Sequence, residues 1–433
     1  MKEFQSFIFD SYSFDASTGK ITLNYSLDDE VKFTETLEVP VSSLRQAQTD
    51  TLEALLFALH LIGGISYYKT CLPKNIVIRS GTLTKEQATF WNTVYEEGLG
   101  EFFFKNKIDF RGRIDFPNNP IACHIEPVEM STRKSMLRQA QHDKKILVPL
   151  GGGKDSLVTV ELLKAQGHPI TLLRLGAHPL IDELAKIAGL PLLNVKRCLS
   201  PELFRLNEEG ALNGHVPITA YLSILSIVIA ELTGHTDVVM SNEVSANEGN
   251  VIFHDKEINH QWSKSAEFET MLQEYIGGIG SDVRYSSLLR PYTELQIVEM
   301  FCHYPQYFEH FTSCNKNWKI RSSPKSSGLP REALSTAKSE VWCGSCPKCA
   351  FAFCLFAAYL PLSTLLKIFR KNLFEDVSLL PLYRELLGLE GFKPFECVGT
   401  KEETREAFRL AHVRGELEGT PVMDMFLNAY AHS

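Results

Sequence analysis

Apolar and polar residues alternate with period two over residues 4–10, 20–26 and 30–39, which predicts half-buried β-strands. Helical spacing follows over 51–62 and 85–98, and Thr84 stands where the second helix needs an N-cap. Residues 1–118 therefore read as an N-terminal α+β domain. The pattern changes at 145. Strands are predicted at 146–150, 170–175, 192–195 and 237–241, alternating with helices at 156–166, 180–188 and 218–232. Gly167 and Gly189 end the first two helices. Alternation at these lengths predicts an α/β fold, a parallel sheet flanked by helices. Ligands of such sheets sit at the carboxyl ends of the strands. Residues 151–156 and 241–250 both lie there. The α/β domain spans 145–365, and beyond 366 short polar helices broken by Pro and Gly form a C-terminal helical cap.

Two segments interrupt this order. Residues 123–144 and 321–340 are polar and lack a sustained apolar period. The first contains Leu-Arg-Gln-Ala-Gln-His-Asp at 137–143, and Leu-Arg-Gln-Ala-Gln-Thr-Asp occurs at 44–50. They resemble translated DNA repeats inserted in frame at 119–144 and 321–340; the other reading is ordinary surface loops. Loop-closure entropy grows slowly with length, so either is tolerated. Both readings predict exposed segments without catalytic residues.

The richest chemistry lies at Gly151-Gly152-Gly153-Lys154-Asp155-Ser156, between a buried strand and a helix. Unpaired N–H groups at a helix start bind anions, and glycines let a phosphate approach the backbone. A Walker A loop would end in Gly-Lys-Ser/Thr, and a dinucleotide fingerprint would read Gly-x-Gly-x-x-Gly. Neither fits. The second polar segment, 241–250, offers Glu243 as a magnesium ligand or base, and Asn247 and Asn250 as ribose or phosphate ligands. Its alternative reading is a solvated turn. Arg284, Arg290, Lys316 and Lys319 are candidates for an anionic substrate, although each singly reads as solvated surface.

Cysteines supply a third signal. Cys343, Cys346 and Cys349 stand at C-x2-C-x2-C. A structural zinc takes four ligands, and Cys314 is the best fourth. Twenty-eight residues separate Cys314 from Cys343, and eight remain once 321–340 is set aside. An iron–sulfur cluster is the rival occupant. Cys354 falls within an apolar helix and reads as core.

Bulk properties narrow the class. Of 433 residues, 44% are apolar and 22% charged, which predicts a folded globular protein. A net charge of −8 argues against a broad basic face for nucleic acid. The longest apolar stretches, 218–230 and 350–360, fall short of the ~20 residues of a membrane span. No secretory h-region follows Met1, and the clustered thiols suggest metal rather than disulfides. The expectation is a cytoplasmic protein.

The glycine loop resembles the Ser-Gly-Gly-x-Asp-Ser loop of ATP pyrophosphatases (PP-loop enzymes), with Gly151 in place of the serine. That resemblance implies that Gly152, Gly153 and Ser156 hold the leaving pyrophosphate and that Asp155 lies near the metal or orders the loop. A C-x8-C-x2-C-x2-C site is similar to that of the 7-cyano-7-deazaguanine synthases. A wider set of segments adds to this: Phe9-Asp10-Ser11-Tyr12-Ser13-Phe14-Asp15, Tyr67-Tyr68-Lys69, Asp109-Phe110-Arg111-Gly112, Ser241-Asn242-Glu243, Ser313-Cys314-Asn315 and Lys393-Pro394-Phe395-Glu396-Cys397. With these, nearly the whole chain resembles the UDP-N-acetylmuramoyl-L-alanyl-L-glutamate epimerase (MurL) family. The resemblance implies ATP-dependent inversion of a terminal glutamate through an acyl adenylate, with ATP, Mg²⁺ and structural zinc, and a UDP-MurNAc-dipeptide as substrate. Glu243, His215, His254 and His260 have the chemistry for proton transfer. A 7-cyano-7-deazaguanine synthase, a tRNA thiolase and a zinc-stapled nucleotide binder are the alternatives.

Overall fold

The computed structural model describes residues 3–45, 49–118, 144–318 and 341–430. Apart from Lys144, the readings of 123–144 and 321–340 lie outside these residues, as does Lys319. Nine strands form one sheet: β1 (Ser6–Asp15), β2 (Lys20–Leu27), β3 (Val31–Glu38), β4 (Asn75–Ile78), β5 (Ile146–Pro149), β6 (Ile170–Leu175), β7 (Leu192–Cys198), β8 (Asp237–Met240) and, last in sequence, Arg284–Ser287. Between β8 and that last strand a separate hairpin pairs β9 (Val251–Phe253) with β10 (Lys256–Ile258), so Arg284–Ser287 is β11. The order across the sheet is β11-β8-β5-β6-β7-β3-β2-β1-β4. The fold is thus α/β, with a large, mostly parallel central sheet flanked by helices.

Period-two alternation explains the layering. Along β5, Leu147 packs into one apolar cluster while Ile146 and Val148 enter the other. In β8, Val238 and Met240 face the first cluster and Val239 the second. Each face is covered by apolar helices, Ile218–Thr233 on one side and Lys154–Ala165 on the other. The helix Thr49–Tyr68 has the length and composition to cross a membrane, but 83% of its apolar window is buried within the protein. It is a core helix.

The strands of residues 1–118 continue the sheet of the glycine loop. β3 pairs antiparallel with β7, Thr36 opposite Cys198 and Glu38 opposite Lys196. A buried ion pair fastens the joint. Glu35, fully buried, accepts from Arg197 Nε at 2.8 Å and Nη2 at 3.1 Å, from Tyr67 Oη at 2.9 Å and from Tyr221 Oη at 2.7 Å. Every lone pair of the carboxylate has a donor. Glu35→Ala would strand the Arg197 charge, and removing one partner of a buried pair costs about 3–5 kcal/mol. The urea midpoint of that variant is expected to drop accordingly; an unchanged midpoint would remove the joint's importance.

Parallel pairing sets the place of the loop. β5 lies between β6 and β8, parallel to both, with Ile146 opposite Ile170 on one side and Asp237 on the other. The chain leaves β5 where the strand order reverses, the usual ligand crevice of such sheets.

Candidate active site

The loop after β5 is shaped by one obligatory glycine. Gly152 has φ +84°, a left-handed conformation that costs other residues roughly 1–2 kcal/mol. Its carbonyl accepts from Thr312 N at 2.9 Å. Gly153 is the N-cap of Lys154–Ala165 and offers no side-chain cap, so the first N–H groups of that helix are left for another acceptor. Ser156 Oγ closes the turn on Gly153 O at 3.0 Å. Gly151 differs from Gly152: a Cβ there meets nothing within 4 Å, and its φ is ordinary. Gly151→Ser is therefore expected to hold or raise Tm slightly, since it lowers the entropy of the unfolded chain by about 0.4–1 kcal/mol. Gly152→Ser is expected to lower Tm. Thermal unfolding of the two variants checks the contrast, and a destabilised Gly151→Ser would contradict it.

Three carboxylates converge beside the loop. Asp155, Glu243 and Glu294 each bring an oxygen to within 4.8 Å of the others. Asp155 stands in the first turn of Lys154–Ala165. Glu294 opens the helix Glu294–Phe301, which Thr293 and Gln296 close in a capping box, and its N–H donates to Glu403 Oε1 at 2.6 Å. Glu243 follows β8, and Arg290 Nη1 holds its carbonyl at 2.8 Å. Lys154 Nζ bridges Asp155 and Glu294. Glu243 Oε2 is buried and has no hydrogen-bond partner among the described residues. Burial raises the Glu294 carboxyl to about 8, with Asp155 and Glu243 adding to the rise and Lys154 opposing it. Burial also pushes Glu243 up, despite Lys264 and Lys154 nearby. Two lysines do not offset the burial of Glu243 and Glu294. A divalent cation beside them would favour their charged forms, and carboxylate oxygen is the donor Mg²⁺ prefers.

The cavity in front of these groups is also lined by Lys264, Ser313, Lys348 and Cys397. Behind Cys397 stands His260, which interacts electrostatically with the Cys397 thiol and hydrogen-bonds Glu101 Oε2 through Nδ1. His215 lies 3.4 Å from the same carboxylate, its ring 4.5 Å from that of His260. Burial, with His260 beside it, depresses His215 to about 3, so it is neutral. His254 is elsewhere: it sits on the exposed β9–β10 turn at φ +51°, its ring against Phe253 and Phe110.

The asparagines predicted to hold ribose or phosphate have other partners. Asn250 Nδ2 donates to Lys393 O at 3.2 Å and Pro394 O at 2.9 Å, and Oδ1 accepts from His260 N at 2.8 Å. Its amide braces the segment that carries Cys397. Asn247 Oδ1 accepts from Ala266 N at 2.8 Å, at the start of Ala266–Gly278. Among the basic candidates, Arg284 pairs with Asp237, Arg290 with Glu269, and Lys316 Nζ donates to Ser345 Oγ. Lys264, Glu294 and Glu101 had no sequence signal, and Lys348 had only its place between Cys346 and Cys349. Cys397 had one, its place in Lys393-Pro394-Phe395-Glu396-Cys397.

The four cysteines meet as the spacing predicts. Cys346 and Cys349 sulfurs are 3.5 Å apart, Cys343 and Cys349 3.6 Å, and Cys314 and Cys346 4.0 Å. A tetrahedral zinc with ligands at ~2.3 Å sets its sulfurs about 3.8 Å apart. An iron–sulfur cluster places sulfides and several irons between its thiolates and spreads them further.

Comparison with known proteins identifies the family. The MurL N-terminal domain model matches residues 1–288, and the MurL C-terminal domain model residues 310–433. A UDP-N-acetyl-alpha-D-muramoyl-L-alanyl-L-glutamate epimerase from Xanthomonas oryzae pv. oryzae is 38% identical over 98% of this chain and 90% of its own. The enzyme of that name from Salinispora tropica is 36% identical over 99% of this chain and 90% of its own. A 7-cyano-7-deazaguanine synthase from Sulfolobus acidocaldarius is 31% identical over only 21% of this chain and 20% of its own. Matched along almost its full length, the chain belongs to the MurL family of epimerases.

Proposed function

We propose that this chain inverts the terminal glutamate of UDP-N-acetylmuramoyl-L-alanyl-L-glutamate from L to D by way of an acyl adenylate, using a PP-loop built on 151–156. The observation that carries the ATP part is the uncapped helix start at Gly153, at the reversal of strand order and beside three acids. Inversion is close to thermoneutral, so ATP serves the kinetics. A proton beside a carboxylate anion is very weakly acidic. The glutamate carboxylate attacks the α-phosphorus, the bond to the β-phosphate breaks, and pyrophosphate leaves into the Gly152, Gly153 and Ser156 turn. The acyl group of the adenylate, no longer a carboxylate anion, accepts charge as an enolate, so a base removes the α-proton and an acid returns one to the other face. Water then releases AMP.

Asp155, Glu243 and Glu294 fit a magnesium ion, which when bound supplies positive charge to the phosphate oxygens. Lys154 and Lys264 stand beside them to hold the same phosphates. Cys314, Cys343, Cys346 and Cys349 fit structural zinc. ATP and a nucleotide-linked peptide are cytoplasmic metabolites, and this reading implies a cytoplasmic enzyme.

Purified protein with ATP and Mg²⁺ should make AMP only when UDP-MurNAc-L-Ala-L-Glu is present. Chiral analysis should then find D-glutamate, with deuterium at its α-carbon when the reaction runs in D₂O. Absence of that deuterium would sink the epimerase reading; D-glutamate without AMP would sink the adenylate alone.

A further inference from the structure

Cys397 faces the cavity that holds Lys154, Asp155 and Glu294, and its side chain is partly open to it. It is none of the four clustered thiols, and adenylation has no use for it. Behind it runs a line of acid–base groups from distant parts of the chain, thiol to imidazole to carboxylate: Cys397, His260 and Glu101. The Glu101 side chain is 5% exposed, and Lys105 Nζ takes its other oxygen. Backbone contacts fix the alignment. Asn250 ties Lys393 and Pro394 to His260 N, and Gln261 Nε2 donates to Val398 O at 3.1 Å. Cys397 is thus clamped on both sides to the strip that carries His260.

Charge favours the thiolate. Lys264, Lys348 and His260 face the sulfur, with Glu396 the nearby acid. Burial opposes a charged sulfur, but those three cations outweigh it and hold the thiol well below its usual range. His260, lifted against its own burial to about 9 by Cys397 and Glu101, is an imidazolium at neutral pH. A half-buried thiolate that opens on a cavity beside an imidazolium is the arrangement of a reactive cysteine rather than a structural one.

We propose that Cys397 is the catalytic residue that takes the proton from the glutamate α-carbon, and that His260 and Glu101 are positioning residues that hold its sulfur for that transfer. This inference rests on the epimerase reading. The α-C–H bond breaks, an S–H bond forms, and the electron pair moves into the adjacent acyl carbonyl as an enolate. A protonated group on the opposite face returns a proton to carbon and restores the carbonyl. The thiol and that group then re-equilibrate with solvent.

The experiment uses the full chain as Cys397→Ala and Cys397→Ser, with ATP, Mg²⁺ and UDP-MurNAc-L-Ala-L-Glu. Pyrophosphate–ATP exchange reads adenylation, and deuterium at the glutamate α-carbon reads proton transfer. Both variants should keep the first and lose at least about a hundredfold in the second, the size of a general base's contribution. Deuterium exchange near the wild-type rate would overturn the proposal. So would loss of both reactions with an unchanged melting curve, or a glutamyl thioester on Cys397 in the mass spectrum, which would make it a nucleophile. Absence of pyrophosphate exchange in the wild type would instead count against the adenylate, leaving the deuterium arm to judge Cys397. If the variants do not fold, wild-type protein decides: iodoacetamide should label Cys397 selectively at pH 6–7 and stop deuterium exchange. His260→Asn should shift the labelling profile towards ordinary thiol pH, and an unmoved profile would exclude the positioning role.

Discussion

Asp155→Ala is expected to abolish AMP formation from ATP and UDP-MurNAc-L-Ala-L-Glu while the protein stays folded. Asp155 is one of three acids that surround Lys154 at the helix start, and its side chain is 27% exposed. Removing it leaves Lys154 paired to Glu294, so the loss in stability stays near the ~1 kcal/mol of a partly exposed pair. The reaction suffers far more. The remaining acids, Glu243 and Glu294, are both pushed towards the neutral form by burial. Neither replaces the oxygen ligand that Asp155 offers to a cation beside the loop. Electrostatic groups of this kind are worth about 10²–10³ each in rate, and the cation they hold adds to that. AMP measured by chromatography, beside a melting curve, tests it. Activity within tenfold of wild type would remove Asp155 from the machinery.

Cys346→Ser has the other large expected effect, on the fold rather than the chemistry. Cys346 is the N-cap of Pro347–Ala357, a helix buried from Cys349 to Ala357. The thiols thus pin the start of the most enclosed helix of the C-terminal core. Its Phe351, Ala352, Leu355 and Phe356 form the apolar wall of the cavity, with Lys348 at its edge. A structural zinc contributes roughly 10 kcal/mol or more of apparent binding free energy in small domains, and serine is a poor substitute for a thiolate. The variant should lose its bound metal and either precipitate or melt well below wild type. Metal analysis by mass spectrometry against protein concentration checks this. A full complement of zinc with unchanged Tm would make the four cysteines mere core. Cys354→Ala supplies the contrast: Cys354 is buried away from the cluster, its sulfur against Thr404 O at 3.9 Å, and metal content should not change.

Local order was legible where one stretch of chain carries its own reason to fold. Lys85–Gly98 forms as its spacing predicts, with Thr84 and Gln87 in a complete capping box. The glycine loop and the C-x2-C-x2-C run were legible for the same reason. The joint of β3 to β7 was not, because nothing near Arg197 in sequence reveals the Glu35 it meets, nor anything near Lys196 the Glu38. Glu294 and Lys264 were invisible in a similar way. Each is an ordinary polar residue next to a cap or turn, and only the path of the chain between β8 and the C-terminus brings them to the loop. Asn250 shows the converse. A polar segment at a strand's carboxyl end looked like a ligand shell, yet its amide is satisfied by backbone. Hydrogen-bonding capacity in a sequence does not say whether protein or ligand will use it.

The β3–β7 joint also bears on how quickly the molecule reaches its working state. Glu35 and Arg197 are 162 positions apart, and Asn250 meets Lys393 across 143. Segments this remote must find one another against the entropy of closing long loops before either contact repays the search. The cavity draws its lining from segments as remote as Lys154, Lys264 and Cys397, so it takes shape only after those searches end. This places the protein among slow folders, with the catalytic cleft among the last parts to assemble.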